Sequence, residues 1–137
     1  MRYIGLDLGT KTLGVAISDK LGFIASFYKT IFFNEEDYNS LIPEIKEILK
    51  NNDSDTVVLG LPKNMDGSLG FAAERSMNFK DLLEKNDINV ILEDERLSSV
   101  EANNIMIKSD MSRNKRKKKV DGLAATIILQ RYLDRRK

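Results

Sequence analysis

With 137 residues, 42% of them hydrophobic and 31% charged, the chain has the size and composition of one globular domain spanning 1–137. It contains no Cys and no His, which excludes thiol nucleophiles, disulfides, imidazole bases and the usual zinc clusters. The net charge of +1 divides into −7 over residues 1–110 and +8 over 111–137, a basic end on an acidic body that suits a polyanion beside a cation-binding region.

In chain order, Arg2–Leu8 alternates, with Tyr3, Gly5 and Asp7 on one face and Ile4, Leu6 and Leu8 on the other, as a strand does. Gly9–Thr12 reads as a turn and Leu13–Ser18 as a second strand, so the two form a hairpin. After Asp19–Gly22, the aromatic and β-branched run Phe23–Phe33 reads as a third strand. Asp37–Asn51 carries Leu41, Ile45, Ile48 and Leu49 at helical spacing. The continuous apolar run Thr56–Leu61 is expected of a strand buried on both faces. Pro62–Gly70 reads as a loop, and Phe71–Lys85 as a helix with Phe71, Ala72, Met77, Phe79, Leu82 and Leu83 as its apolar positions. Ile88–Leu92 reads as a buried strand leading into Glu93-Asp94-Glu95.

Ser98 and Glu101 have capping-box spacing and open a helix to about Lys108. Ser109–Lys119 is polar and basic without periodicity, and is expected to be mobile without a ligand. Val120–Arg135 is the last helix, with Val120, Leu123, Ala124, Ile127 and Ile128 on one face. Three hairpin-forming strands followed by strand–helix alternation imply an α/β fold: a mixed sheet with helices on both faces. No apolar run approaches the roughly 18 residues of a membrane span, and the N-terminus enters a strand directly. A cytoplasmic protein without a signal peptide or membrane contact is therefore expected.

Three acidic positions carry candidate chemistry. Asp7 ends an apolar strand and precedes a glycine turn in which Lys11 and the hydroxyls of Thr10 and Thr12 can meet a phosphate. A carboxylate buried in such a strand is costly without a cation. Asp94-Glu95-Arg96 follows another strand, and ligands commonly bind at strand C-terminal ends in such sheets. Asp121 is expected in the first turn of the last helix, where the helix dipole alone would account for it. Singly, each also has a plain structural reading as a hairpin, loop or helix-start residue. Converging at one sheet edge, they would need cations to offset their repulsion. Two Mg²⁺ or Mn²⁺ ions about 4 Å apart would suit phosphodiester cleavage. The run Arg113, Lys115, Arg116, Lys117, Lys118 and Lys119 places six cations in seven residues just before Asp121. It can grip a nucleic-acid backbone without reading sequence.

At these residues the chain resembles the YqgF (RuvX) family. The matching segments are Gly5–Lys11, Gly14–Asp19, Gly60–Pro62, Met65–Ser68, Asp94–Arg96 and Val120–Asp121, with Ala124-Ala125 and Leu129–Leu133 further on. The resemblance implies an RNase H-like fold: a five-stranded mixed sheet, three strands antiparallel and then two parallel. It further implies a nuclease that matures the 5′ end of precursor 16S rRNA, with Asp7, Glu95 and Asp121 as catalytic and metal-binding acids. Asp94 is a weaker candidate for that set. Arg96 would contact phosphate or brace the carboxylates, and Lys11 and the basic run would bind nucleic acid. Thr12 stands where the family usually has Arg, and Ser98-Ser99 where it usually has Thr-Thr. The strand end at Gly60-Leu61-Pro62 lacks the acid found in RuvC-type resolvases, and Glu95 is expected to substitute from the next strand.

Three other readings stay open. One is a resolvase of four-way DNA junctions, which needs two active sites and hence a homodimer rather than a monomer. Another is a non-catalytic nucleic-acid-binding module. The third is a fragment of an actin-like kinase, whose first phosphate loop Asp7–Lys11 also resembles, although that architecture pairs two such domains.

Overall fold

The structure, a computed structural model, describes residues 2–62, 70–94 and 113–136, with the backbone alone over 113–122. Five strands form one sheet: β1 (Ile4–Leu8), β2 (Thr12–Ser18), β3 (Ala25–Phe32), β4 (Thr56–Leu61) and β5 (Asn89–Asp94). Their spatial order is β3-β2-β1-β4-β5. β1 pairs antiparallel with β2, and β2 with β3; β4 runs parallel to both β1 and β5. This is the expected sheet, with β1 at its centre.

A short 3-10 turn, Tyr38–Ser40, leads into helix α1 (Leu41–Asn51). Pro43 lies in the first turn of α1, where its missing N–H costs no intrahelical bond. Leu41, Ile42, Ile45, Ile48 and Leu49 are buried against the sheet. Helix α2 (Phe71–Lys85) has the expected bounds but a different inner face: Ala73, Ser76, Phe79 and Leu83 are buried. Phe71, Ala72 and Met77, expected among the apolar positions, are exposed because the inner stripe follows the three-to-four-residue helical repeat through Ala73. Helices α1 and α2 cover the face carrying Ile4, Leu6, Leu8, Leu13 and Val15.

The last helix, α3 (Arg113–Arg136), covers the other face and begins seven residues earlier than the apolar pattern suggests. The basic stretch 113–119 is thus helical rather than irregular. Lys and Arg are good helix formers, so a helix can begin there without an apolar period in the sequence. Ala125, Ile128, Leu129 and Leu133 of α3 pack with Ala16 of β2 and Val58 of β4. Gly5 makes this approach possible, since a Cβ there would come within 2.8 Å of Leu129 Cβ and 3.0 Å of the Ala125 carbonyl oxygen. Gln130 secures the start of β3, accepting from the Ala25 N–H (2.8 Å) and donating to the Phe23 carbonyl (2.9 Å).

The turn before β3 is closed by Asp19, whose carboxylate accepts the backbone N–H groups of Phe23 (2.7 Å) and Ile24 (2.9 Å). The bond from the Ile24 N–H does most to hold that carboxyl below its ordinary range. Gly22 in the same turn takes φ of +75°, a conformation open to glycine. Strand β5 runs two residues further than the apolar pattern predicts, so Glu93 and Asp94 belong to the strand. The expected helix at 98–108 lies outside the described residues, as does nearly all of the expected loop 62–70.

Candidate active site

Strands β1, β4 and β5 run in the same direction, so their C-terminal ends share one edge of the sheet. Asp7 lies there, on the central strand. The pleat alternates side chains, and Ile4, Leu6 and Leu8 enter the core beneath α1 and α2. Asp7 therefore stands on the α3 face and is half-buried. Its antiparallel partner on β2 is Gly14. On β4, one residue beyond the Leu6–Leu59 pair, stands Gly60. The carboxylate thus stands between two strand neighbours that carry no side chain.

Next in that row, beyond Gly60, is Glu93 of β5. Glu93 is buried and paired with Arg135 of α3. The sequence reading missed this pair; a single acid on the inner face of a predicted strand, with a cluster of arginines in the terminal helix, is the signal that points to it. Asp94 follows Glu93 and alternates to the opposite face; it pairs with Leu61. Arg131 lies 3.5 Å from the Asp94 carbonyl oxygen, so two arginines of α3 hold the end of the strand from which the chain continues to Glu95.

Helix α3 runs antiparallel to β1, because Tyr132 meets Tyr3 (ring centroids 5.4 Å apart) while Ala125 and Leu129 meet Gly5. From Gly5 to Asp7 the strand advances about 7 Å. The same advance along α3 spans roughly four or five residues toward its N-terminus. The helix backbone at about residues 121–123 is therefore level with Asp7. Asp121 is the ninth residue of α3, not a first-turn residue as expected, so stabilisation of the helix N-terminus does not account for it.

Lys11 is exposed at the tip of the β1–β2 hairpin, at the same end of the sheet. The tip is fixed by bonds from Gly9 N–H to Thr12 O (2.8 Å) and from Phe33 N–H to Lys11 O (2.9 Å). Glu95 and Arg96 lie outside the described residues. So do the side chains of Asp121, Arg113, Lys115, Arg116, Lys117, Lys118 and Lys119. Among the described residues no three acidic side chains converge to hold a metal. The donors at hand suit a hard cation: the chain offers carboxylates and hydroxyls but neither imidazole nor thiolate.

A central carboxylate at the end of a mixed sheet, beneath a C-terminal helix, defines the class of RNase H-like resolvase folds. Thermus thermophilus RuvC in complex with Holliday junction substrate superposes with a TM-score of 0.58 at 13% identity, covering 99% of this chain and 95% of that one. The fowlpox virus resolvase in complex with junction DNA gives 0.56 at 16%, covering 98% of each. These likenesses establish the fold. The chain itself belongs to the RuvX family, whose model, described as Holliday junction resolvase, matches residues 1–135. Its relatives include proteins named "Putative pre-16S rRNA nuclease". One from Staphylococcus carnosus is 50% identical over 97% of this chain and 95% of its own length. Another from Bacillus subtilis is 47% identical over 98% of both.

Proposed function

We propose that the protein is a metal-dependent nuclease that processes the 5′ end of precursor 16S rRNA in the cytoplasm. The observation that carries this is Asp7: a half-buried carboxylate on the central strand, flanked in its row by Gly14 and Gly60, in a chain whose relatives are named for that activity. Glycine on both neighbouring strands keeps the sheet surface beside the carboxylate clear of strand side chains. Asp7, with Glu95 and Asp121, would hold Mg²⁺ or Mn²⁺, most simply two ions. When bound, these supply water activation and stabilise the charge of the leaving oxygen. Lys11 at the hairpin tip, Arg96 and the basic residues 113–119 would hold the phosphate backbone.

Asp7→Asn keeps the shape of the side chain and removes its charge. It is expected to lower cleavage of a precursor 16S rRNA leader by about a thousandfold or more, with the fold unchanged by circular dichroism. Wild-type rates from that variant would end the carboxylate mechanism. A second reading, resolution of four-way DNA junctions, is favoured by the family description and the RuvC-like fold. Cleavage of precursor rRNA and of synthetic junctions, measured side by side with each ion, decides between them. Symmetric junction cutting with intact rRNA would select the resolvase, and a dimer in solution would accompany it.

A further inference from the structure

Strand β3 is an edge of the sheet and carries exposed aromatic rings that the fold does not use. Phe32 is 64% exposed and Phe27 53%. Phe32 pairs with Thr12, Thr30 with Gly14, and Phe27 with Ala16, which packs beneath α3. Ile31, between Thr30 and Phe32, enters the opposite core. By the pleat, Phe27, Thr30 and Phe32 therefore share the α3 face with Asp7. Asp7, Gly14 and Thr30 form one continuous row across three strands. Phe32 stands two residues past the row, about 12 Å from Asp7 on ordinary sheet spacings. Phe27 stands on the near side of the row, level with Gly5. Exposed Lys11 adjoins Thr12 and hence Phe32.

We propose that Phe32, aided by Phe27, is a base-stacking platform that holds unpaired nucleotides of the substrate strand beside Asp7. The inference rests on the nuclease reading above and specifies its substrate as single-stranded at that point. Aromatic faces stack on any base, and Lys11 beside Phe32 matches the phosphates that would accompany those bases. A second copy of the chain fits this edge less well. The register of β3 against β2 shifts between Val15 and Ala16, leaving Tyr28 as an extra residue, and Lys29 follows it. A bulge and a lysine on an edge strand both oppose strand addition.

The chain has no Trp, so Phe32→Trp installs a single indole reporter at the platform. In EDTA, where no cleavage proceeds, titration with a single-stranded RNA oligonucleotide is expected to quench that indole saturably; a duplex of the same sequence is expected to leave it unchanged. Phe32→Ala is expected to weaken single-strand binding about tenfold, measured by anisotropy, and Phe32→Tyr to restore it. The exposed position leaves the fold intact, which circular dichroism checks. Unquenched indole together with unchanged affinity in Phe32→Ala overturns the platform, even if the wild type cleaves. Quenching without cleavage under any divalent ion keeps the platform and removes the nuclease reading. A dimer that dissociates in Phe32→Ala while RNA affinity holds would assign the patch to self-association and overturn the proposal.

Discussion

Glu93 shows how a single buried acid is tolerated next to Asp7 at the proposed site. It shares a row with Asp7, with Gly60 between them, and its carboxylate is about nine-tenths buried. Arg135 offsets that charge and is itself more than half exposed, so the ion pair spans the boundary of the fold rather than its interior. Removing the arginine would leave the carboxylate to water that reaches it poorly. Arg135→Ala is therefore expected to lower unfolding stability by about 1–2 kcal/mol in urea, less than a fully buried pair would lose. Arg135→Lys should recover part of that, because the point charge returns without the planar fork. An unchanged midpoint in both variants would mean that solvent already serves Glu93. Tyr132, next to the same arginines, has its hydroxyl pKa raised first by burial and then by the neighbouring Tyr3.

At the scale of elements, the approach of α3 to β1 depends on Gly5. A methyl group there would meet Leu129 Cβ and the Ala125 carbonyl, one a core side chain and the other helix backbone. Gly5→Ala is expected to destabilise the protein by about 1–3 kcal/mol, measured by denaturant unfolding. It should also lower activity at temperatures where the variant stays folded, since Asp121 rides on the displaced helix. Full stability in this variant would show that α3 can lift without loss.

The strands are legible in the sequence because each has its own pattern, and the mixed sheet follows from a hairpin-rich start before strand–helix alternation. β1 alternates large apolar residues with Gly5 and Asp7, although both its faces are covered, and β4 is apolar throughout, as a strand covered on both faces must be. Where the reading slips, the residues name the cause. Lys115–Lys119 are helical without an apolar period, so the start of α3 has no hydrophobic signature. Glu93 and Asp94 look like a loop because they are charged, yet hydrogen bonding to β4 continues through them. Phe71 and Met77 are hydrophobic but fall on the outer face of α2. At the candidate site, Asp7 is legible as a charge in an apolar strand. The glycines that flank it are not, because only strand pairing brings Gly14 and Gly60 alongside.

Across the whole molecule, the sheet divides the interior into two unequal cores. The larger joins α1 and α2 to all five strands through branched aliphatics and Phe79. Among the described residues, the smaller, beneath α3, joins Ala125, Ile128, Leu129 and Leu133 to Ala16 and Val58, with Tyr3, Ala25, Ile91 and Tyr132 at its margin. Among the described residues, less apolar surface holds α3 than holds the rest, and free energy of local opening follows that difference. Amide hydrogens of α3 are expected to exchange with deuterium well before those of β1 and β4; uniform protection would mean that the molecule opens as one unit. A chain that frees α3 first could carry Asp121 away from Asp7 while the sheet endures, so its capacity for chemistry would fade on warming before its fold does.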